Sequence, residues 1–473
     1  MGLRVLVAYS ATSTHVSTTL DYLRAFQYLP DCEVKFVHCA HDARLHFDIN
    51  AFDVLINSYC ARSIYDSYLS PDYERAVLAF QGLKIGIVQD DYDVTSMLHR
   101  AVRRLGFHVL FTSIQSEFWP LVYPTTQVPG VAFRNILTGY VPASRPSQTV
   151  KPLEDRPFPI AYRGRELGAK YGRLGYEKVE IGRRMAEICA VRGIEHNIAA
   201  DEASRIYGDE WFSFVGDSRT MLGSESGSNA FDFDGAIAQK CSEFEKENGR
   251  PPLYSDIADY LAPFEQPFNI GQISPRVFEC ATMRTPMILF RGRYSDAIRP
   301  DEHYIPLEKD FSNVDQVLSR LNDHDYLRGF ADRAYEHLIA SGNYSYRTLM
   351  RSIKDAIDEH YPRIIADKFN QHRRSIAARW QPTFDPSSPH EIALAETPTY
   401  EPQLPDYYPV KQARLVELLY PPEQAMPPIE ELPVIEDPPA IEEAKMGAIR
   451  RGWRLLPMPV RSRVGPMVVK LIS

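Results

Sequence analysis

The sequence has no Cys-x-x-Cys motif and no cysteine pair at zinc-ligand spacing; its six cysteines (Cys32, Cys39, Cys60, Cys189, Cys241 and Cys280) are scattered. That argues against a zinc ribbon or a disulfide framework and reads as reduced, mostly buried thiols of a cytoplasmic protein. Also missing is any run of the ~18 to 20 uninterrupted apolar residues that a membrane-spanning helix needs, so contact with a bilayer would be peripheral. The opening apolar run stops at Ser10, too short for a secretory leader, and reads as a first strand. Positive charge is in deficit: 53 Lys+Arg stand against 62 Asp+Glu, a formal net charge of −9. Nucleic-acid binding through bulk positive charge is therefore not expected.

What is present is an alternation. In 473 residues, enough for two or three domains at ~150 residues each, short β-branched runs recur at 4–9, 33–38, 54–57, 84–88, 108–112 and 130–133. Helical-period segments at 17–28 and 94–105 separate several of them. Buried strands alternating with helices imply a parallel sheet covered on both faces. A proline-punctuated stretch at 142–157 ends this unit, and the pattern restarts with strands at 158–162, 196–200, 219–222 and 286–290, helices at 177–191, 314–321, 326–340 and 346–357, and a polar helical insert at 234–265 read as peripheral. The expected fold is α/β: two Rossmann-like domains, 1–141 and 158–360, facing each other across a cleft, with the last helix crossing back.

Two further segments follow. Residues 381–439 hold 14 prolines with acidic groups in excess, a composition that cannot bury enough apolar area to offset chain entropy, so 381–444 reads as a linker. Residues 445–473 carry seven basic residues and no acidic ones, interleaved with apolar side chains such as Trp453, Leu455 and Leu456. Such a tail suits an anionic membrane surface or the acidic protein itself.

In paired Rossmann-like domains the ligand lies at the carboxyl ends of the strands. Gln272-Ile273-Ser274-Pro275-Arg276-Val277-Phe278-Glu279 precedes the strand at 286–290. Ser274 suits an N-cap and Pro275 a first helical position, which leaves backbone N–H groups for an anion, or simply an ordinary capped helix. The segment resembles the donor-binding part of GT-B glycosyltransferases of the group-1 family, and the resemblance runs through 294–313. It implies that Glu279 holds a nucleotide ribose. Gly271 stands where related retaining enzymes carry a first glutamate, and Gln272 or Ser274 takes over its contact with the sugar. The resemblance also implies a donor diphosphate on Arg165 and Lys170 after the strand at 158–162, with Arg163 beside them.

The turn Gly223-Ser224-Glu225-Ser226-Gly227 offers backbone N–H groups and short hydroxyls to a sugar or phosphate, and no Walker Gly-Lys-Ser/Thr follows it. Asp232 and Asp234 lack calcium-loop spacing and read as caps. In the first unit, His15, Asp90 and Asp91 follow strands and are candidates for the base that takes an acceptor proton, although helix capping explains such a cluster as well. These readings converge on a cytoplasmic hexosyltransferase without metal or cofactor. Its donor is a nucleoside diphosphate sugar, its acceptor a hydroxyl of a glycan or lipid-linked molecule, and it works at the inner face of a membrane. A nucleotide-sugar epimerase and a catalytically silent nucleotide-sugar-binding protein remain as alternatives.

Overall fold

The computed structural model describes residues 2–10, 17–40, 43–65, 68–142, 148–165 and 167–365. All described residues belong to the first of the chain's two units, Met1–Pro421. The candidate base His15, the linker and the basic tail lie outside them.

Two parallel sheets organise the first unit. Lobe 1 holds β1 (Leu3–Tyr9), β2 (Cys32–His38), β3 (Val54–Asn57), β4 (Leu83–Ile87), β5 (Val109–Thr112) and β6 (Ala132–Asn135), in the order β2-β1-β3-β4-β5-β6. Its helices are α1 (Ser17–Ala25), α2 (Pro71–Ala79), α3 (Thr95–Leu105) and the single turn α4 (Trp119–Val122). Every residue of β3 and β4 is buried, as near-continuous apolar strands between two helical layers require. The last strand begins two residues later than its β-branched run suggests.

Lobe 2 holds β7 (Ile160–Arg163), β8 (His196–Ala199), β9 (Met221–Gly223), β10 (Met287–Phe290) and β11 (Ile305–Leu307), in the order β11-β10-β9-β7-β8. Its helices are α5 (Gly172–Arg192), α6 (Gly208–Gly216), α7 (Ala236–Asn248), α8 (Tyr254–Glu265), α9 (Pro275–Thr282), α10 (Val314–Ser319) and α11 (His324–Tyr335). In both sheets the strand order reverses beside the first strand, between β1 and β3 and between β7 and β9, which opens a crevice at the carboxyl ends there. The final helix, α12 (Tyr346–Ile365), crosses back as expected: Tyr346, Leu349, Met350 and Ile353 pack with Val5 and Ile85 of lobe 1. None of the six cysteines forms a disulfide. Among the described residues, no helix is long and apolar enough to cross a membrane.

The insert, expected to be peripheral, is structural. Its helices α7 and α8 bury Ile237, Ile257 and Leu261 against Ala169 and Ala230. Glu265 at the end of α8 accepts the Arg173 N–H and so caps the start of α5. Just before α7, Phe231 is sealed into the lobe 1 core together with Phe268 and Ile270. A polar sequence hid this because few of its apolar residues are needed to make the contact. Asp232 behaves as read: its carboxylate accepts N–H groups of Gly235, Ile237 and Ala238 at 2.9, 3.3 and 3.0 Å.

Candidate functional site

On lobe 2, three cations, Arg276, Lys178 and Arg165, lie close enough to act on one another electrostatically. Arg276, in the first turn of α9, lays its guanidinium 4.8 Å from the Tyr162 ring centre and 5.6 Å from that of Trp211, and donates to the Arg163 carbonyl. Lys178, on α5, donates from Nζ to Ser226 Oγ at 3.0 Å. Burial, then the charges of Arg276 and Arg165, push the Lys178 ammonium down to about 8. Arg165 follows β7 and is exposed. Among the described residues no carboxylate lies within ion-pair distance of any of the three, and Arg276 Nε is buried without a partner. Like charges held together without an ion-paired counter-charge raise the energy of the empty site, and an arriving anion relieves it.

Beside them stands Glu279, one turn into α9. The Trp211 indole N–H donates to its Oε2 at 2.7 Å. Burial pushes the carboxyl pKa up, against the Trp211 bond and the Arg276 charge. Asp21 and Tyr346, which pack with lobe 1, act on it electrostatically, so Glu279 lies near the junction of the lobes. The tip of α9 is there too: Thr138 of lobe 1 donates to the Ile273 carbonyl, and a Cβ on Gly139 would meet Pro275 Cα at 2.8 Å. Ser274 precedes the helix without capping it by its side chain, which leaves its hydroxyl uncommitted to the helix.

The other candidates are placed differently. Arg163 is spent on its own sheet, donating to the Tyr162 and Asn197 carbonyls at 2.9 Å and to Asn197 Oδ1 at 2.7 Å, over the Phe214 ring. Lys170 points to lobe 1, 3.8 Å from Asp93 Oδ1. Val277 is buried in the core and its N–H returns to the Ser274 carbonyl at 3.1 Å. Ser224 donates to the Glu225 carbonyl at 3.3 Å, and Glu225 itself is buried. Gln272 ties the lobes together, donating to the Ser113 carbonyl at 2.8 Å and accepting from Ser295 at 2.9 Å, so its amide is not available to a sugar. Lys178 escaped the sequence reading. Its only signal was a lysine on the helix that follows β7, and what sets its position, the Ser226 hydroxyl, comes from a distant segment.

In lobe 1, Asp91 is fully buried: its carboxylate accepts hydrogen bonds from Thr112, Ser113 and Tyr123, and burial pushes its pKa up. It staples β4 to β5 and cannot reach an acceptor. Asp90 is half-exposed, ion-paired with Arg62 and hydrogen-bonded by Tyr92 at 3.0 Å. It borders a cavity of about 260 Å³ at the carboxyl ends of β3 and β4, whose wall includes Tyr65, Ile87 and Leu98. The Tyr65 hydroxyl donates to Asp93, the residue that meets Lys170, so the cavity abuts lobe 2.

The chain matches no protein-family model and no curated protein. Among solved structures it is similar to Anabaena Alr3699/HepE in complex with UDP-glucose, at 10% identity over 76% of this chain and 100% of that one, with a TM-score of 0.41. It is also similar to T4 phage BGT in complex with its UDP-glucose substrate, at 10% identity over 76% and 99% of the two chains and a TM-score of 0.42. A third similar structure is TarM, at 13% identity and a TM-score of 0.31, where the match spans 64% of this chain and 54% of the other.

Proposed function

We propose that this chain is a hexosyltransferase that moves a sugar from a nucleoside diphosphate donor to a hydroxyl of a glycan or lipid-linked acceptor. The observation that carries this reading is the cation cluster of Arg165, Lys178 and Arg276, which has no ion-pair partner among the described residues. When a sugar leaves, negative charge grows on the diphosphate, and fixed cations in a closed cleft stabilise it where it develops. Glu279, anchored by Trp211 through one oxygen, offers the other to the ribose hydroxyls. Asp90 beside the lobe 1 cavity is the remaining described candidate for the acceptor base. The 445–473 tail would bring the enzyme to anionic lipid; deleting 447–473 should shift the protein out of the membrane fraction, and an unchanged distribution would remove that part.

A silent sugar-nucleotide-binding protein is the second reading, favoured by the engagement of Asp90 with Arg62 and the sealing of Asp91. Calorimetry with uridine, guanosine and adenosine diphosphates separates the readings when followed by product analysis with the matching sugar donor. Transfer or slow donor hydrolysis supports the enzyme. Binding without either supports the silent form, and no binding of any of the three diphosphates overturns both.

A further inference from the structure

Past β10 the backbone enters an unfavourable conformation and stays there. Tyr294, Ser295 and Asp296 have φ of 51°, 54° and 59°, the left-handed region in which residues bearing a Cβ are strained and persist only where their surroundings over-determine them. Two sets of contacts do so. Glu225, just after β9, accepts the N–H groups of Arg293 at 2.6 Å and Tyr294 at 3.4 Å. Lys309 Nζ stands 3.6 Å from the same carboxylate and 2.9 Å from that of Glu177. The carboxylate fits because two glycines leave room: a Cβ on Gly271 would fall 1.7 Å from Glu225 Oε1, and one on Gly292 2.4 Å from its carboxyl carbon.

The second set leads from the turn to α9. The Ser295 N–H donates to the Gly271 carbonyl at 2.9 Å, its hydroxyl donates to Gln272 Oε1 at 2.9 Å, and that hydroxyl accepts the Ile273 N–H at 3.1 Å. Residues 271–273 run straight into Ser274 and the helix that carries Arg276 and Glu279. On the other side of Glu225, Ser226 pairs with Gln272 through both backbone groups and receives Lys178. One buried carboxylate thus sits where the supports of Lys178 and of α9 meet.

We propose that Glu225 is a positioning residue: it fills the slot left by Gly271 and Gly292, holds the 293–296 turn in its strained form, and through Ser295 sets where α9 begins and where Arg276 points. The consequence for anion binding rests on the reading of Arg165, Lys178 and Arg276 as the diphosphate site. With both oxygens turned toward the protein, Glu225 acts through these neighbours rather than on a ligand.

The test compares full-length wild type with Glu225→Ala and Glu225→Gln, the second keeping an oxygen that can accept the Arg293 N–H. Hydrogen exchange should accelerate about tenfold in Glu225→Ala at both 290–298 and 272–280, leave 83–112 unchanged, and return most of the way in Glu225→Gln. Inorganic pyrophosphate, measured by calorimetry, should bind about tenfold more weakly to Glu225→Ala and within about threefold of wild type to Glu225→Gln. Faster exchange that stops at 290–298 overturns the proposal, as does unchanged exchange in folded Glu225→Ala. If exchange spreads to 272–280 while pyrophosphate binds none of the three proteins, the positioning role stands and the diphosphate reading falls.

Discussion

Replacing Lys178 by methionine is expected to lower kcat/KM for the sugar donor by about 100-fold, the scale seen when one preorganised donor to a developing oxyanion is removed. Pyrophosphate affinity should fall with it. Lys178 is set by Ser226, its neighbours in charge are Arg276 and Arg165, and its pKa is pushed down to about 8. An anion bound there favours the ammonium form and raises that value, so binding above pH 8 takes up a proton. Affinity should therefore be level below about pH 8 and decline as pH rises through the window between the free and bound values. Lys178→Arg keeps its charge across that window and should abolish the decline.

The same substitution has an opposite effect on stability. In the folded protein the ammonium ionises below its ordinary value of 10.5, so the folded state binds fewer protons than the unfolded chain between about pH 8 and that value. Stability accordingly rises with pH in this window and is lowest where the lysine is fully charged. Lys178→Met removes a poorly compensated buried charge and should melt no lower than wild type at pH 7. A variant that loses activity without losing stability separates a functional cation from a structural one. Activity within about twofold of wild type would remove Lys178 from the site.

The sequence made the frame readable and the site only in part, for identifiable reasons. Strands such as β3 and β10 are short apolar runs with burial on both faces, and their shortness and the residues that flank them locate them. Ser274-Pro275 marks the start of α9 through local rules that need no tertiary context. Orientation is different. Asp90 and Asp91 are adjacent in sequence, yet one borders a cavity and the other is fully buried and hydrogen-bonded by Thr112 and Tyr123. Nothing local distinguishes them, because the decision is taken by residues of β5 and of the segment after α4. Gly271 is a similar case. As a letter it is a missing glutamate; in the fold it is the clearance for a carboxylate that arrives from another strand.

Phe231→Ala should be strongly destabilising, costing about 3 to 5 kcal/mol by the usual scale for emptying a buried phenylalanine site. The residue is fully buried, its ring centre lies 4.2 Å from that of Phe268, and both belong to the lobe 1 core although the chain has already entered lobe 2. The backbone around it completes the junction. Helix α3 has no side-chain cap, and the N–H groups of Thr95 and Ser96 donate instead to the carbonyls of Asp232 and Phe233 at 3.0 and 2.8 Å. Asp232 N–H returns to the Tyr92 carbonyl at 3.0 Å. A lobe 1 helix is thus capped by lobe 2, while α12 ties the lobes a second time. With the Gln272 bond to Ser113, these ties make the lobes one cooperative unit, and wild type should melt in a single calorimetric transition. Emptying the Phe231 site loosens one tie, so the variant should melt earlier and show two resolved transitions. Val191→Ala, at a residue 88% exposed, is the control and should stay within about 0.5 kcal/mol. A Phe231→Ala protein that melts with wild type in one transition would mean that the other ties, α12 and the Gln272 bond to Ser113 among them, hold the lobes together without it.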